Sequence, residues 1–172
     1  MIKNLKNYST DIRADKTIIE VQQILAQSGA RGIAFEYDNS GNIESLFFRL
    51  AVNIPTTSIN PNDNQKEVSF KLPAKPDAVY KVLFEGKRFV NFYQESKRKE
   101  AEDRRKQQSL NVAWRIMKEW LEVQFSLIRL NQVEAIEIFL PYMVTGKDRT
   151  LYNDMKEKHF ELGSGAEEGK IE

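Results

Sequence analysis

Cysteine is absent from the chain, so disulfides, thiolate nucleophiles and every cysteine-containing metal site are excluded together. A reducing, cytoplasmic setting is the expectation that follows. The single histidine, His159, rules out a three-histidine metal centre within one chain and falls near the C-terminus, where a surface role is the simpler reading. Glycine is also scarce, at eight residues, and none completes a phosphate-cradling loop. Gly146-Lys147 has neither the preceding glycine run nor the following Ser or Thr of a P-loop. Ser28-Gly29 and Ser164-Gly165 lack the surroundings of a nucleophile elbow. Long apolar runs are missing too. The basic N-terminus is followed by no seven-residue apolar stretch, and nothing approaches the roughly 20 residues that cross a bilayer, so neither export signal nor membrane span is expected.

What the chain does contain suits one soluble domain. Its 172 residues are 41% apolar and 30% charged, with ten Phe and six Tyr, which is more aromatic surface than a disordered chain leaves in water. A single α+β domain is expected over 1–162, with a basic extension near 94–109 and a frayed acidic tail at 163–172.

Residues 5–13 suggest a short strand. Thr17 and Glu20 have capping-box spacing, after which Ile18, Val21, Ile24 and Leu25 fall on one helical face until Ser28-Gly29 ends it. Gly32 to Tyr37 and Ile43 to Val52 alternate around Asp38-Asn39-Ser40-Gly41-Asn42, the strongest hairpin signal present. The consecutive Phe47 and Phe48 predict one ring against a helix and one on the other face of the sheet. A turn-rich connection over Ile54 to Lys66 precedes a third strand at Glu67 to Leu72, and Asp77 is placed to cap a following helix.

Glu95 to Gln108 has almost no apolar anchor and reads equally as a projecting helix or a disordered basic loop. Beyond it Leu110, Ala113, Trp114, Met117, Leu121, Phe125 and Ile128 recur at spacings of three and four, the pattern of a long amphipathic helix. A short helix through Val133 to Leu140, limited by Pro141, a loop from Met143 to Arg149 and a last helix within Thr150 to Phe160 complete the pattern. The predicted architecture is a three- or four-stranded, mostly antiparallel sheet with the N-terminal and the long C-terminal helices packed on one face.

The formal charge is only +1, but its distribution is uneven. Between Lys87 and Lys106 eight basic residues oppose four acidic ones, a local balance of +4. Lys87, Arg88, Lys97, Arg98, Lys99, Arg104, Arg105 and Lys106 are candidates to contact phosphates, and Tyr93 or Trp120 to stack on an unpaired base. Arg115, Lys118 and Arg129 would enlarge the basic surface if the helices converged. The plainer reading is a solvated basic helix whose aromatic residues anchor it to the core. Trp114 and Trp120 lie about 120° apart around an ideal helix, so Trp114 is assigned to the core and Trp120 to an interface.

At AWRIMKEWLEVQFSLI followed by EIFLPYM, the chain resembles small uncharacterised proteins carried by bacterial phages and other mobile elements. The residues that carry the resemblance are Trp114, Arg115, Lys118, Trp120, Glu122 and Gln124, then Phe139, Leu140, Pro141 and Tyr142, and it extends from the Thr17 helix through Leu151. It implies a setting in phage or mobile-element DNA replication or recombination, and it assigns no binding residue.

The leading expectation is therefore a non-enzymatic accessory protein that binds single-stranded DNA and needs no cofactor. One alternative is a protein-interaction or homo-oligomerisation domain with Trp120, Phe125 and Tyr142 in the contact. The other is a magnesium-dependent nuclease centred on Glu119 and Glu122, which lie three residues apart on one helix, though ordinary charge pairing explains them more simply.

Overall fold

Alternation of apolar and polar residues builds the sheet in the computed structural model, which describes residues 5–53, 65–86, 95–146 and 149–160. Strand β1 (Gly32–Tyr37) pairs antiparallel with β2 (Ile43–Asn53), and β2 with β3 (Gln65–Pro73), in the order β1-β2-β3. Leu46, Phe48, Leu50 and Val52 share the buried face of β2, with Leu72 opposite Leu46 and Phe70 opposite Phe48. The turn between β1 and β2 is closed by Asp38, whose Oδ1 accepts from the backbone N–H of Ser40 and of Asn42 at 2.8 Å each. Gly41 takes a φ of 79° there, a value that favours glycine.

The other face of the sheet carries ion pairs. Lys71 meets Glu36 at 2.8 Å and lies 4.9 Å above the Phe47 ring, while Arg31 and Arg49 share Glu67. Phe48 points the opposite way, edge-on to Phe139 at 5.2 Å, so the two adjacent rings divide between the faces as expected.

Helix α1 (Ala14–Gln27) and helix α3 (Glu95–Arg129) close the buried side with Ile18, Val21 and Leu25 from the first and Trp114, Leu121 and Phe125 from the second. Helix α2 (Pro76–Phe84) packs along α3, and the short α4 (Ala135–Phe139) inserts Phe139 into the core. A 3₁₀ turn at Leu140–Tyr142, strands β4 (Val144–Gly146) and β5 (Arg149–Thr150), and α5 (Leu151–Glu157) follow. Among the described residues no helix is long and apolar enough to cross a membrane.

Four local expectations are corrected. Residues 5–13 form turns rather than a strand, with Tyr8 N–H donating to the Leu5 carbonyl and Asn7 at a φ of 62°. Thr17 does not cap α1, which begins three residues earlier. Its hydroxyl is fully buried and donates to the Arg13 carbonyl one turn back, while Glu20 reaches across to α3 instead of to the helix start. The Ala14 N–H finds its acceptor in Asn111 Oδ1 at 2.9 Å, a partner that no local pattern could reveal. Asp77 lies within α2 because Pro76 already occupies the first turn, where its fixed φ and missing N–H cost nothing. The Met143 to Arg149 segment, expected as a loop, contains β4, which pairs with β5, and Met143 also bridges to Phe70. The connection over 54–64 and the tail at 163–172 lie outside the described residues.

Several carboxylates are held below their usual range by partners in the fold. A hydrogen bond from Arg13 does this to Asp15, one from Lys71 to Glu36, the Asn42 N–H to Asp38, Lys6 to Glu119 and the Thr145 hydroxyl to Asp154. A depressed folded pKa means that the unfolded chain takes up protons first, so these contributions are complete above the ordinary carboxylate range and are lost as pH falls through it. The urea midpoint is expected to stay level from neutral pH to about pH 5 and to decline below that. A midpoint that held steady or rose on acidification to pH 3 would contradict these assignments.

Candidate nucleic-acid interface

Helix α3 runs for 35 residues, about 50 Å at 1.5 Å per residue, yet its first buried side chain is Ser109. Its N-terminal turns are therefore held by local terms. They contain no Gly or Pro, and Glu100 and Glu102 each precede a base by four residues, meeting Arg104 at 3.6 Å and Lys106 at 3.2 Å. That settles the open alternative at Glu95 to Gln108 in favour of a helix.

Because the segment is helical, its cations diverge. Lys97, Arg98, Arg104 and Arg105 fall within a sector of about 120°, whereas Lys99 and Lys106 fall on another side together with Glu95 and Glu102. Lys97, Arg98 and Lys99 are exposed and make no ion pair with a described residue. Arg104 makes only its exposed intrahelical pair. Arg105 lies 5.3 Å above the Phe84 ring of α2. Lys106 is raised above its usual pKa by its hydrogen bond to Glu102, which keeps it paired. The six described members of the basic set are thus not one surface. Lys87, Arg88 and Tyr93 lie outside the described residues.

The basic residues further along α3 do not extend the patch. Arg115 meets Glu20 at 3.2 Å and Glu119 at 3.6 Å; Lys118 meets Glu20 at 3.1 Å and Glu122 at 3.0 Å; Arg129 donates to Ser28 Oγ. The bonds to Glu20 and Ser28 fasten α3 to α1. The same network divides the carboxylates considered for magnesium. Glu119 takes Lys6 at 2.7 Å and Glu122 takes Lys118, and among the described residues no cluster of three or more His, Asp or Glu is arranged to hold a metal ion.

Trp114 is fully buried, edge-on to Phe35 at 6.4 Å. Trp120 is half-buried, edge-on to Phe139 at 5.8 Å and to Tyr142 at 5.9 Å. With two ring contacts already made, it lies in the wall of the domain and away from the cations at the start of α3. Phe125, expected in an interface with Tyr142, belongs to the core.

One aromatic residue near the cations escaped the sequence reading. Tyr8 is 56% exposed, and its carbonyl accepts from Gln108 Nε2 at 2.9 Å, while the same amide also donates to the Thr10 carbonyl at 3.1 Å. Gln108 stands one turn beyond Arg104, inside the basic sector, so the turn bearing Tyr8 is pinned at the foot of that face. Tyr8 and Gln108 are 100 positions apart in the chain, which is why no spacing rule joins them. Comparison with models of protein families, with curated proteins and with solved structures found no match to this chain.

Proposed function

We propose that the protein is a non-enzymatic accessory that binds single-stranded DNA along the first turns of α3, with Lys97, Arg98 and Arg104 on phosphates and Tyr8 stacked on a base. The observation that carries this reading is the combination of exposed cations on one side of a self-supporting helix with an exposed ring anchored at its foot. Cations offset the backbone charge of any nucleic acid; a ring takes only a base that is not already paired. The resemblance to phage and mobile-element proteins would place such binding in DNA replication or recombination.

A titration of fluorescent single-stranded DNA over a salt series tests this, with duplex DNA and single-stranded RNA alongside. Three phosphate contacts on a single strand give a slope of about −2 in log affinity against log salt. Tighter binding to the single strand than to duplex is the expected order. Association that ignored salt, or that favoured duplex, would remove the contact scheme.

A further inference from the structure

The cationic side of helix α3 stops where the chain's own N-terminal segment lies across it. Lys97, Arg104, Gln108, Asn111, Arg115 and Glu119 fall within a sector of about 80° around the helix. The first two are exposed cations, with Arg98 beside them. From Gln108 onward each member is engaged by residues 6–20. Gln108 donates to the Tyr8 and Thr10 carbonyls at 2.9 and 3.1 Å, and Asn111 Oδ1 accepts from the Ala14 N–H at 2.9 Å. Arg115 meets Glu20 at 3.2 Å, and Glu119 meets Lys6 at 2.7 Å. The Arg115 and Glu119 side chains are only 21% and 22% exposed. Charge changes at the same border. In the covering segment Lys6, Arg13 and Lys16 are matched by Asp11, Asp15 and Glu20, so it adds no net positive charge. Gln108, which holds the turn of the 56% exposed Tyr8, lies about 6 Å along the axis beyond Arg104, close to the length of one extended nucleotide.

We infer that the site takes the end of a single strand, with the terminal base on Tyr8 and the phosphates that follow it on Arg104, Arg98 and Lys97. This rests on the DNA-binding reading above and narrows its substrate class from any single strand to strand termini. Two physical terms select the end. A terminal base has one face free, so a ring can stack there without parting it from a neighbour. An interior base has a neighbour on each side, and admitting the ring breaks one of those stacks. The strand beyond an interior base must also leave α3, because residues 6–20 occupy the continuation of its cationic sector. Both costs vanish at a terminus. Stacking accepts any base, so the site recognises that the strand ends and not what its last base is.

A circle of single-stranded DNA has no end, which gives a direct test. Linear oligodeoxyadenylate and a covalently closed circle of the same length and sequence are titrated with the full chain over a salt series. The linear strand is expected to bind about tenfold or more tightly than the circle, with the same salt slope, because both offer the same phosphates. Lengthening the linear strand beyond about four nucleotides, which span three phosphates and the stacked base, is expected to leave both the affinity and the stoichiometry of one protein per strand unchanged. Y8A, altered at an exposed ring, is expected to bind the linear strand only as well as the parent binds the circle, at an unchanged salt slope. Salt-dependent binding of the circle as tight as that of the linear strand, with stoichiometry growing with length, overturns end recognition and leaves the single-strand reading standing. Absence of salt-dependent binding to either form overturns that reading, and end recognition with it.

Discussion

Phe139→Ala is expected to lose about 4 kcal/mol of folding stability, a large share of the 5–15 kcal/mol typical of a domain. The ring is fully buried and lies 5.2 Å from Phe48, 5.5 Å from Phe70, 5.6 Å from Phe125 and 5.8 Å from Trp120. It therefore joins two strands to the long helix at one point. Its own helix, α4, has five residues, too few to persist without tertiary support even with the reciprocal capping of Glu134 and Glu137. Removing the ring leaves a cavity and also frees the chain that follows, including the 3₁₀ turn against which Trp120 packs. Urea unfolding is expected to show a lower midpoint with an unchanged slope, and the emission of Trp120 to move toward that of a hydrated indole. A loss below about 1 kcal/mol would mean that α4 is not the keystone its contacts describe.

The second large effect is on binding. K97A/R98A/R104A is expected to weaken single-stranded DNA binding on the order of a hundredfold at low salt and to flatten the salt dependence by about two units. K99A/K106A, with cations from the other side of the same helix, is expected to change the salt dependence little. That contrast separates a directional interface from nonspecific attraction to a basic segment, because both variants remove charge from the same turns. Equal losses in the two variants would leave only the nonspecific attraction. Unfolding curves of both should match the parent, since none of the five side chains is buried.

Much of the architecture was legible because it is periodic. The Asp38 to Asn42 turn joins strands whose buried set alternates cleanly, and the stripe through Trp114, Leu121 and Phe125 returns every three or four residues. What could not be read is non-local. Thr17 and Glu20 have the spacing of a capping box, yet the first α1 amide, that of Ala14, is served from Asn111, and Glu20 is drawn to Arg115 and Lys118. The candidate site was half legible for a similar reason. Composition located the cations, but only helical geometry divides Lys97, Arg98 and Arg104 from Lys99 and Lys106. Trp120 stood out as a rare residue and turned out to be packed in the wall of the domain. Tyr8 carries no local signal, because its neighbour on α3 is a glutamine distant in the chain.

The bond from the Ala14 N–H to Asn111 Oδ1 spans 97 residues and has a consequence during synthesis. The β1–β2 hairpin can close as soon as it leaves the ribosome, but α1 emerges before anything it can pack on. At about 5–20 residues per second, the part of the Ile18, Val21 and Leu25 face that α3 covers waits on the order of 5–20 s, open to chaperones or to neighbouring nascent chains. The N-terminal third of the protein is thus made first and secured last.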